Sequence, residues 1–68
     1  MGVSIHATAI VEKGAQLGKE VEVGPFAFVG KNVVLGDHTK ILSHAVITGQ
    51  TTLGKKCTVW PFSTIGSP

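Results

Sequence analysis

An aliphatic side chain returns at every sixth position along the whole chain. This series fills eleven consecutive slots: Ile5, Val11, Leu17, Val23, Val29, Leu35, Ile41, Ile47, Leu53, Val59 and Ile65. A second series lies two positions earlier in each hexad, and none of its members is larger than valine: Val3, Ala9, Ala15, Val21, Ala27, Val33, Thr39, Ala45, Thr51, Cys57 and Ser63. A pattern that fills every slot at a fixed short period is typical of a repeat architecture.

Each hexad predicts one short strand followed by a turn. Residues at i and i−2 point to the same side of an extended strand, so the large and the small series face a common interior. Glycine directly follows the aliphatic position in six hexads, at Gly18, Gly24, Gly30, Gly36, Gly54 and Gly66. Because only glycine enters the left-handed backbone region freely, this fixed phase indicates a recurring corner.

The spacing also predicts how many strands make one coil. Leu17, Leu35 and Leu53 are each followed by glycine and stand three hexads apart. Three hexads per coil predict an all-β fold, a parallel β-helix shaped as a triangular prism, with residues 1–68 forming a single domain of a little under four coils. The competing fold, a small antiparallel barrel or sandwich, needs hairpin turns such as Asn-Gly or Asp-Gly, and neither dipeptide occurs.

The outward residues differ between the three faces of this predicted prism. Residues 6–11, 24–29, 42–47 and 60–65 share one face, which carries none of the ten charged residues. It displays Ile10 and the residues that we predict to form a homotrimer interface: Phe26, Phe28, Leu42, His44, Val46, Trp60 and Phe62. The alternative is that some of these large residues only pack over the corners or stack along their own column, as at Phe26, His44 and Phe62.

Chain length strengthens the case for assembly. A single core in a chain below about 70–80 residues rarely supplies more than about 3–5 kcal/mol. With one cysteine, Cys57, an intrachain disulfide is excluded, and that thiol falls in the small interior series. Burial of the charge-free face between copies of the chain is the remaining means of stabilisation.

Charge and hydropathy argue against nucleic acid and membranes as partners. The net charge of +2 comes from six lysines against four acidic residues, dispersed along the chain, which argues against a nucleic-acid site. No apolar run approaches the ~20 residues of a membrane span, and the N-terminus lacks the layout of a signal peptide. We therefore expect a cytoplasmic protein that binds neither nucleic acid nor membrane.

The sequence offers no convincing set of catalytic, substrate-binding or metal-binding residues. Asp37, His38 and His44 fall on two different faces, so a zinc site within one chain is not expected. Ser43 and His44 are neighbours on a strand and point opposite ways. We predict no cofactor.

Four segments resemble the N-terminal portion of the acyl-carrier-protein-dependent UDP-N-acetylglucosamine O-acyltransferase family. They are IHATAIVEKGAQLG at 5–18, VGPFAFVG at 23–30, SHAVITGQTTLG at 43–54 and VWPFSTIGSP at 59–68. The resemblance implies a left-handed β-helix, a homotrimer and a cytoplasmic setting. It also implies transfer of a hydroxyacyl chain from acyl carrier protein to the sugar 3-hydroxyl, the first step of lipid A synthesis, by a histidine general base without metal.

The family pattern implies that its catalytic histidine, sugar-nucleotide loop and helical C-terminal domain lie beyond these coils. His6, His38 and His44 do not match that histidine. We therefore expect residues 1–68 to be an inactive, trimer-forming fragment, with acyl carrier protein and UDP-N-acetylglucosamine as partners only of a full-length parent. The alternatives are a self-assembling structural module without catalysis and another hexapeptide-repeat acyltransferase.

Overall fold

The computed structural model describes residues 2–66, which form two-residue strands separated by four-residue corners. The strands are β1 (Ser4–Ile5), β2 (Ile10–Val11), β3 (Gln16–Leu17), β4 (Glu22–Val23), β5 (Phe28–Val29), β6 (Val34–Leu35), β7 (Lys40–Ile41), β8 (Val46–Ile47), β9 (Thr52–Leu53), β10 (Thr58–Val59) and β11 (Thr64–Ile65). Every strand ends on the predicted aliphatic position. Within residues 2–66 there is no helix that is long and apolar enough to cross a membrane.

The strands form three parallel sheets, in the orders β1-β4-β7-β10, β11-β8-β5-β2 and β3-β6-β9. Within each sheet, every strand pairs with the strand three places along the chain. Val23 lies opposite Ile41 and Leu35 opposite Leu53, so the partners in both pairs are three hexads apart. This register confirms the predicted β-helix with three hexads per coil and rules out the antiparallel alternative.

The interior is formed by the two series that the sequence predicts. Its buried apolar members are Val21, Val23, Ala27, Val29, Val33, Leu35, Ile41, Ala45, Ile47 and Val59. In the first coil, Ala9, Val11, Ala15 and Leu17 are only partly buried, and Ile5 is exposed. Interior side chains are buried where coils lie on both sides of them, and Val59, in the end strand β10, is the exception that is buried with a neighbouring strand on one side only.

Among residues 2–66, Thr39 is the one residue with a fully buried polar side chain. Its side chain is fully buried, and its Oγ1 donates a hydrogen bond to the Gly54 carbonyl oxygen at 2.7 Å. The hydroxyl therefore satisfies a backbone acceptor of the next coil while threonine fills the volume that valine occupies elsewhere in the small series.

The corners correct one inference from the sequence. Of the six glycines that follow the aliphatic position, only Gly66 has a left-handed backbone, with φ of 75°. The left-handed corner residues instead lie two places after the hexad position that glycine often occupies. They carry large side chains: Glu20, Phe26, His38, His44, Lys56 and Phe62. The position after the aliphatic residue does lie in a corner, but glycine is suited to it for a different physical reason.

That reason is the close approach of successive coils. A Cβ atom added at Gly36 would lie 2.6 Å from the carbonyl carbon of Gly54 and 2.8 Å from the amide nitrogen of Lys55. Both are backbone atoms, so no side-chain rotation can relieve the overlap. At Gly54, which occupies the same corner one coil later, an added Cβ meets nothing within 4 Å.

We therefore predict that Gly36→Ala lowers stability whereas Gly54→Ala does not. Gly36→Ala forces two coils apart and should lower the free energy of unfolding by about 1–3 kcal/mol, as overpacking does. Gly54→Ala should leave it unchanged or raise it by up to about 1 kcal/mol, because alanine restricts the unfolded chain. Urea unfolding of both variants tests this, and equal losses would contradict the close-approach explanation.

Candidate assembly face

One face of the prism combines the sheet β11-β8-β5-β2 with the corner that precedes each of its strands. It comprises residues 6–11, 24–29, 42–47 and 60–65, and none of these is acidic, lysine or arginine. We call it the charge-free face. Ile10 lies opposite Phe28 and Phe28 opposite Val46, so its central strands present a continuous apolar column.

Large apolar side chains on this face are open to solvent. The exposed fractions are 58% for Ile10, 60% for Phe26, 67% for Trp60 and 77% for Phe62. Phe28, Leu42 and Val46 are half-buried, and His44 is exposed. Contiguous apolar surface of this kind is typical of protein contact surfaces.

All seven interface residues predicted from the sequence therefore lie on the charge-free face. Ile10 belongs with them, although the predicted interface does not include it. The signal that identifies it is its position three hexads before Phe28, which places it in the same outward column one coil earlier.

An aromatic column runs along the corner of this face. The Phe26 and His44 ring centroids are 5.1 Å apart with an interplanar angle of 24°, and those of His44 and Phe62 are 4.9 Å apart at 14°. The three residues share a left-handed backbone, with φ of 59°, 60° and 64°, and so project alike from the corner. The rings therefore do stack along their own column, and this stacking leaves Phe26 and Phe62 mostly exposed.

Backbone hydrogen bonds hold the column in place. The His44 amide donates to the Pro25 carbonyl oxygen at 3.0 Å, and the Phe62 amide donates to the Ser43 carbonyl oxygen at 3.4 Å. Below them, the Phe26 amide donates to Thr8 Oγ1 at 3.1 Å. The rings are therefore positioned by contacts between coils and need no binding partner to align them.

Two carboxylates at the other corners accept hydrogen bonds from the backbone of a neighbouring coil. Asp37 Oδ1 accepts a hydrogen bond from the Lys19 amide at 2.8 Å, and Glu12 Oε1 accepts one from the Lys31 amide at 3.1 Å. These carboxylates tie one corner to the next. A shallow polar groove on the sheet β3-β6-β9 is lined by Gln16, Lys31, Asn32, Gln50 and Thr52 among others.

The histidines do not converge on a common site. His6 Nδ1 contacts the hydroxyl of Thr8 at 2.9 Å, whereas His38 Nδ1 lies 3.8 Å from Glu20 Oε1 at a different corner. Among residues 2–66, no three side chains of His, Cys, Asp or Glu are grouped so that they could hold a metal ion. Cys57 is half-buried, as expected for the small interior series.

Residues 32–67, more than half of the chain, match the family described as Bacterial transferase hexapeptide (six repeats). The chain belongs to this family. Within the hexapeptide family, its sequence is similar to proteins named Acyl-[acyl-carrier-protein]--UDP-N-acetylglucosamine O-acyltransferase. The Rickettsia canadensis protein is 45% identical over 65 residues, which are 96% of this chain and 25% of the relative. The Bartonella quintana protein is 47% identical over 66 residues, 97% of this chain and 24% of the relative.

Two solved structures share the fold. The UDP-N-acetylglucosamine acyltransferase from Campylobacter jejuni superposes with a TM-score of 0.88 at 34% identity, covering 90% of this chain and 24% of that structure. The Arabidopsis UDP-N-acetylglucosamine acyltransferase gives a TM-score of 0.87 at 31% identity, covering 94% of this chain and 26% of that structure. This chain thus spans about a quarter of the length of these relatives.

Proposed function

We propose that this chain is the N-terminal β-helix section of an acyltransferase acting in lipid A synthesis. The complete enzyme transfers a hydroxyacyl chain from acyl carrier protein to the 3-hydroxyl of UDP-N-acetylglucosamine in the cytoplasm. In it, residues 1–68 form the first coils of a left-handed prism and contribute a surface for homotrimer assembly. On their own, residues 1–68 assemble but do not catalyse the transfer.

The observation that carries this proposal is the extent of the sequence match. Relatives with this acyltransferase name align with 96–97% of the chain at 45–47% identity. The shared β-helix alone would indicate only the broader hexapeptide family. The specific similarity, spread over nearly every coil, favours the UDP-N-acetylglucosamine acyltransferases.

The trimer is supported by the composition of the charge-free face. Phe26, Trp60 and Phe62 are each at least 60% exposed, and the two phenylalanine rings are already aligned by contacts within the chain. Their burial between chains removes apolar surface from water at about 25 cal/mol per Å². Because no Asp, Glu, Lys or Arg lies on this face, assembly at neutral pH does not require desolvation of an ion.

The surroundings of His38 and His44 support the proposal that residues 1–68 are inactive on their own. A general base accelerates a reaction by about 10²–10⁴-fold only when it is positioned against a bound substrate. His38 lies beside Glu20, but both side chains are half exposed at a convex corner. His44 is held between two phenylalanine rings, which offer neither an acid nor a base.

We predict that Phe26→Glu/Phe62→Glu converts the trimer to monomers. Each trimer would have to bury six carboxylates in an apolar contact, and an unpaired buried charge is strongly unfavourable. Light scattering of the wild-type chain should give about three times its mass of 7.1 kDa. The double variant should scatter as a single chain.

The matched control is Lys56→Glu/Thr58→Glu, which places two carboxylates on another face. Lys56 has the same left-handed backbone as the two phenylalanines, with φ of 57°, and Thr58 is exposed. This control should remain a trimer. A wild-type chain that stays monomeric, or a phenylalanine variant that stays trimeric, would contradict the proposed assembly face.

The catalytic part of the proposal is tested with a chimera. Residues 1–68 replace the matching N-terminal section of the Campylobacter jejuni acyltransferase, and transfer from acyl carrier protein to UDP-N-acetylglucosamine is measured. The chimera should be active because the coils share their fold. Residues 1–68 without the remainder of the enzyme should show no transfer above background.

Two outcomes would contradict this proposal. Transfer by residues 1–68 without the remainder would show that they contain a complete site. A chimera that forms the correct trimer but transfers nothing would argue against the acyltransferase role and favour a purely structural module.

A further inference from the structure

The polar groove on the sheet β3-β6-β9 extends over three successive coils. Its volume is about 460 Å³, within the range of about 300–1,000 Å³ that is typical of small-molecule sites. Two columns of residues line most of it: Gly14, Asn32 and Gln50 at the corner, and Gln16, Val34 and Thr52 on the strands. The groove therefore follows the repeat and belongs to a single chain.

The groove forms where one corner lacks the projecting side chains of the other two. From residue 20 onward, those corners carry large side chains on a left-handed backbone, as at Phe26 and Phe62. The column of this corner begins with Gly14, which has no side chain and a φ of 109°, and neither Asn32 nor Gln50 has a positive φ. We attribute the open space to this break in the pattern.

The polar side chains in the groove have unused hydrogen-bonding capacity. Gln16, Asn32 and Gln50 each carry a carboxamide, which offers two N–H donors and an acceptor oxygen, and the hydroxyl of Thr52 can donate and accept. All four side chains are exposed. In the part of the chain that the structure describes, none of them makes a hydrogen bond to another residue.

The groove carries a positive charge. Lys31 lines it, and within residues 2–66 its ammonium group forms no ion pair, nor does any Asp or Glu line the groove. Glu12, at the same corner one coil earlier, accepts a hydrogen bond from the Lys31 amide at 3.1 Å. Gly14 also lies close, since an added Cβ there would be 3.1 Å from the Lys31 carbonyl oxygen. The backbone of Lys31 is thus anchored, while its ammonium group is available to an anion.

We propose that this groove binds a hydroxylated sugar ring that carries one anionic group. The carboxamides and Thr52 match the ring hydroxyls, which donate as well as accept hydrogen bonds. Val34 is half-buried between Gln16 and Thr52 on the central strand and provides an apolar surface for the C–H bonds of the ring. Lys31 forms a charge-assisted hydrogen bond with the anionic group. The inference does not depend on the proposed trimer or on acyl transfer.

The test is a nuclear magnetic resonance titration of the isotope-labelled chain at fixed pH and ionic strength. Glucuronate and glucose 1-phosphate carry both a ring and an anionic group, glucose lacks the charge, and acetate and inorganic phosphate lack the ring. At least one acidic sugar should shift the side-chain amide signals of Gln16, Asn32 and Gln50, with a dissociation constant on the order of 1–10 mM because water competes for exposed groups. The two acidic sugars distinguish a carboxylate ligand from a phosphate ligand.

The other probes measure how much the ring and the charge each contribute. Glucose, acetate and inorganic phosphate should bind at least about tenfold more weakly than the preferred acidic sugar. Inorganic phosphate or acetate that binds as tightly as the acidic sugar would overturn recognition of a sugar. The absence of a saturable shift at the groove amides with either acidic sugar would overturn the site itself.

The decisive variant is Asn32→Asp, which keeps the size of the side chain but places a carboxylate near the anionic group. Repulsion should weaken binding of the acidic sugar at least about tenfold, while the backbone signals outside the groove keep the wild-type pattern. Lys31→Gln should also weaken the acidic sugar and leave the weaker binding of glucose unchanged. The matched control, Lys55→Gln, removes an exposed lysine at another corner and should bind like the wild type. Wild-type binding by both Asn32→Asp and Lys31→Gln would contradict the proposal.

Discussion

The structure depends on the stacking of each coil against the next at a fixed offset of three hexads. This offset places aliphatic on aliphatic and small on small, as where Val23 lies opposite Ile41. It also brings the backbone of one coil within hydrogen-bonding distance of the next, for example from the Gly24 amide to the Ile41 carbonyl oxygen at 2.7 Å. An insertion or deletion of a single residue would move interior side chains to the surface, because the side-chain period of a strand is two.

Stacking fixes the surface as well as the core. A residue at one position of a hexad lies above the residue three hexads earlier, so side chains form columns along the prism. One corner column combines Phe26, His44 and Phe62, whereas another combines Glu20, His38 and Lys56. The same backbone conformation therefore displays an apolar column on one side and an ionisable column on another. In our proposal, the first column assembles the trimer and the second remains in water.

Much of this arrangement was predictable because it repeats. The period predicted every strand, the recurrence after three hexads predicted the three sheets, and the positions of the charged residues predicted the face that lacks them. The role of the glycines was not predictable in the same way. Their phase is visible in the sequence, but the distance from Gly36 to the backbone of Gly54 depends on how two coils pack. Nor does any local signal indicate that Phe26 and His44 adopt left-handed backbones, a conformation that bulky residues rarely take. Coil-to-coil hydrogen bonds override the local preference there.

The central claim is that this short prism is stable because copies of the chain cover its apolar face. Linkage between folding and assembly makes apparent stability depend on protein concentration. The most direct test is the urea midpoint of unfolding at pH 8, measured over a hundredfold range of chain concentration. We predict that the midpoint rises steadily with concentration. A midpoint that is the same at every concentration, with complete unfolding of a single chain, would contradict the claim.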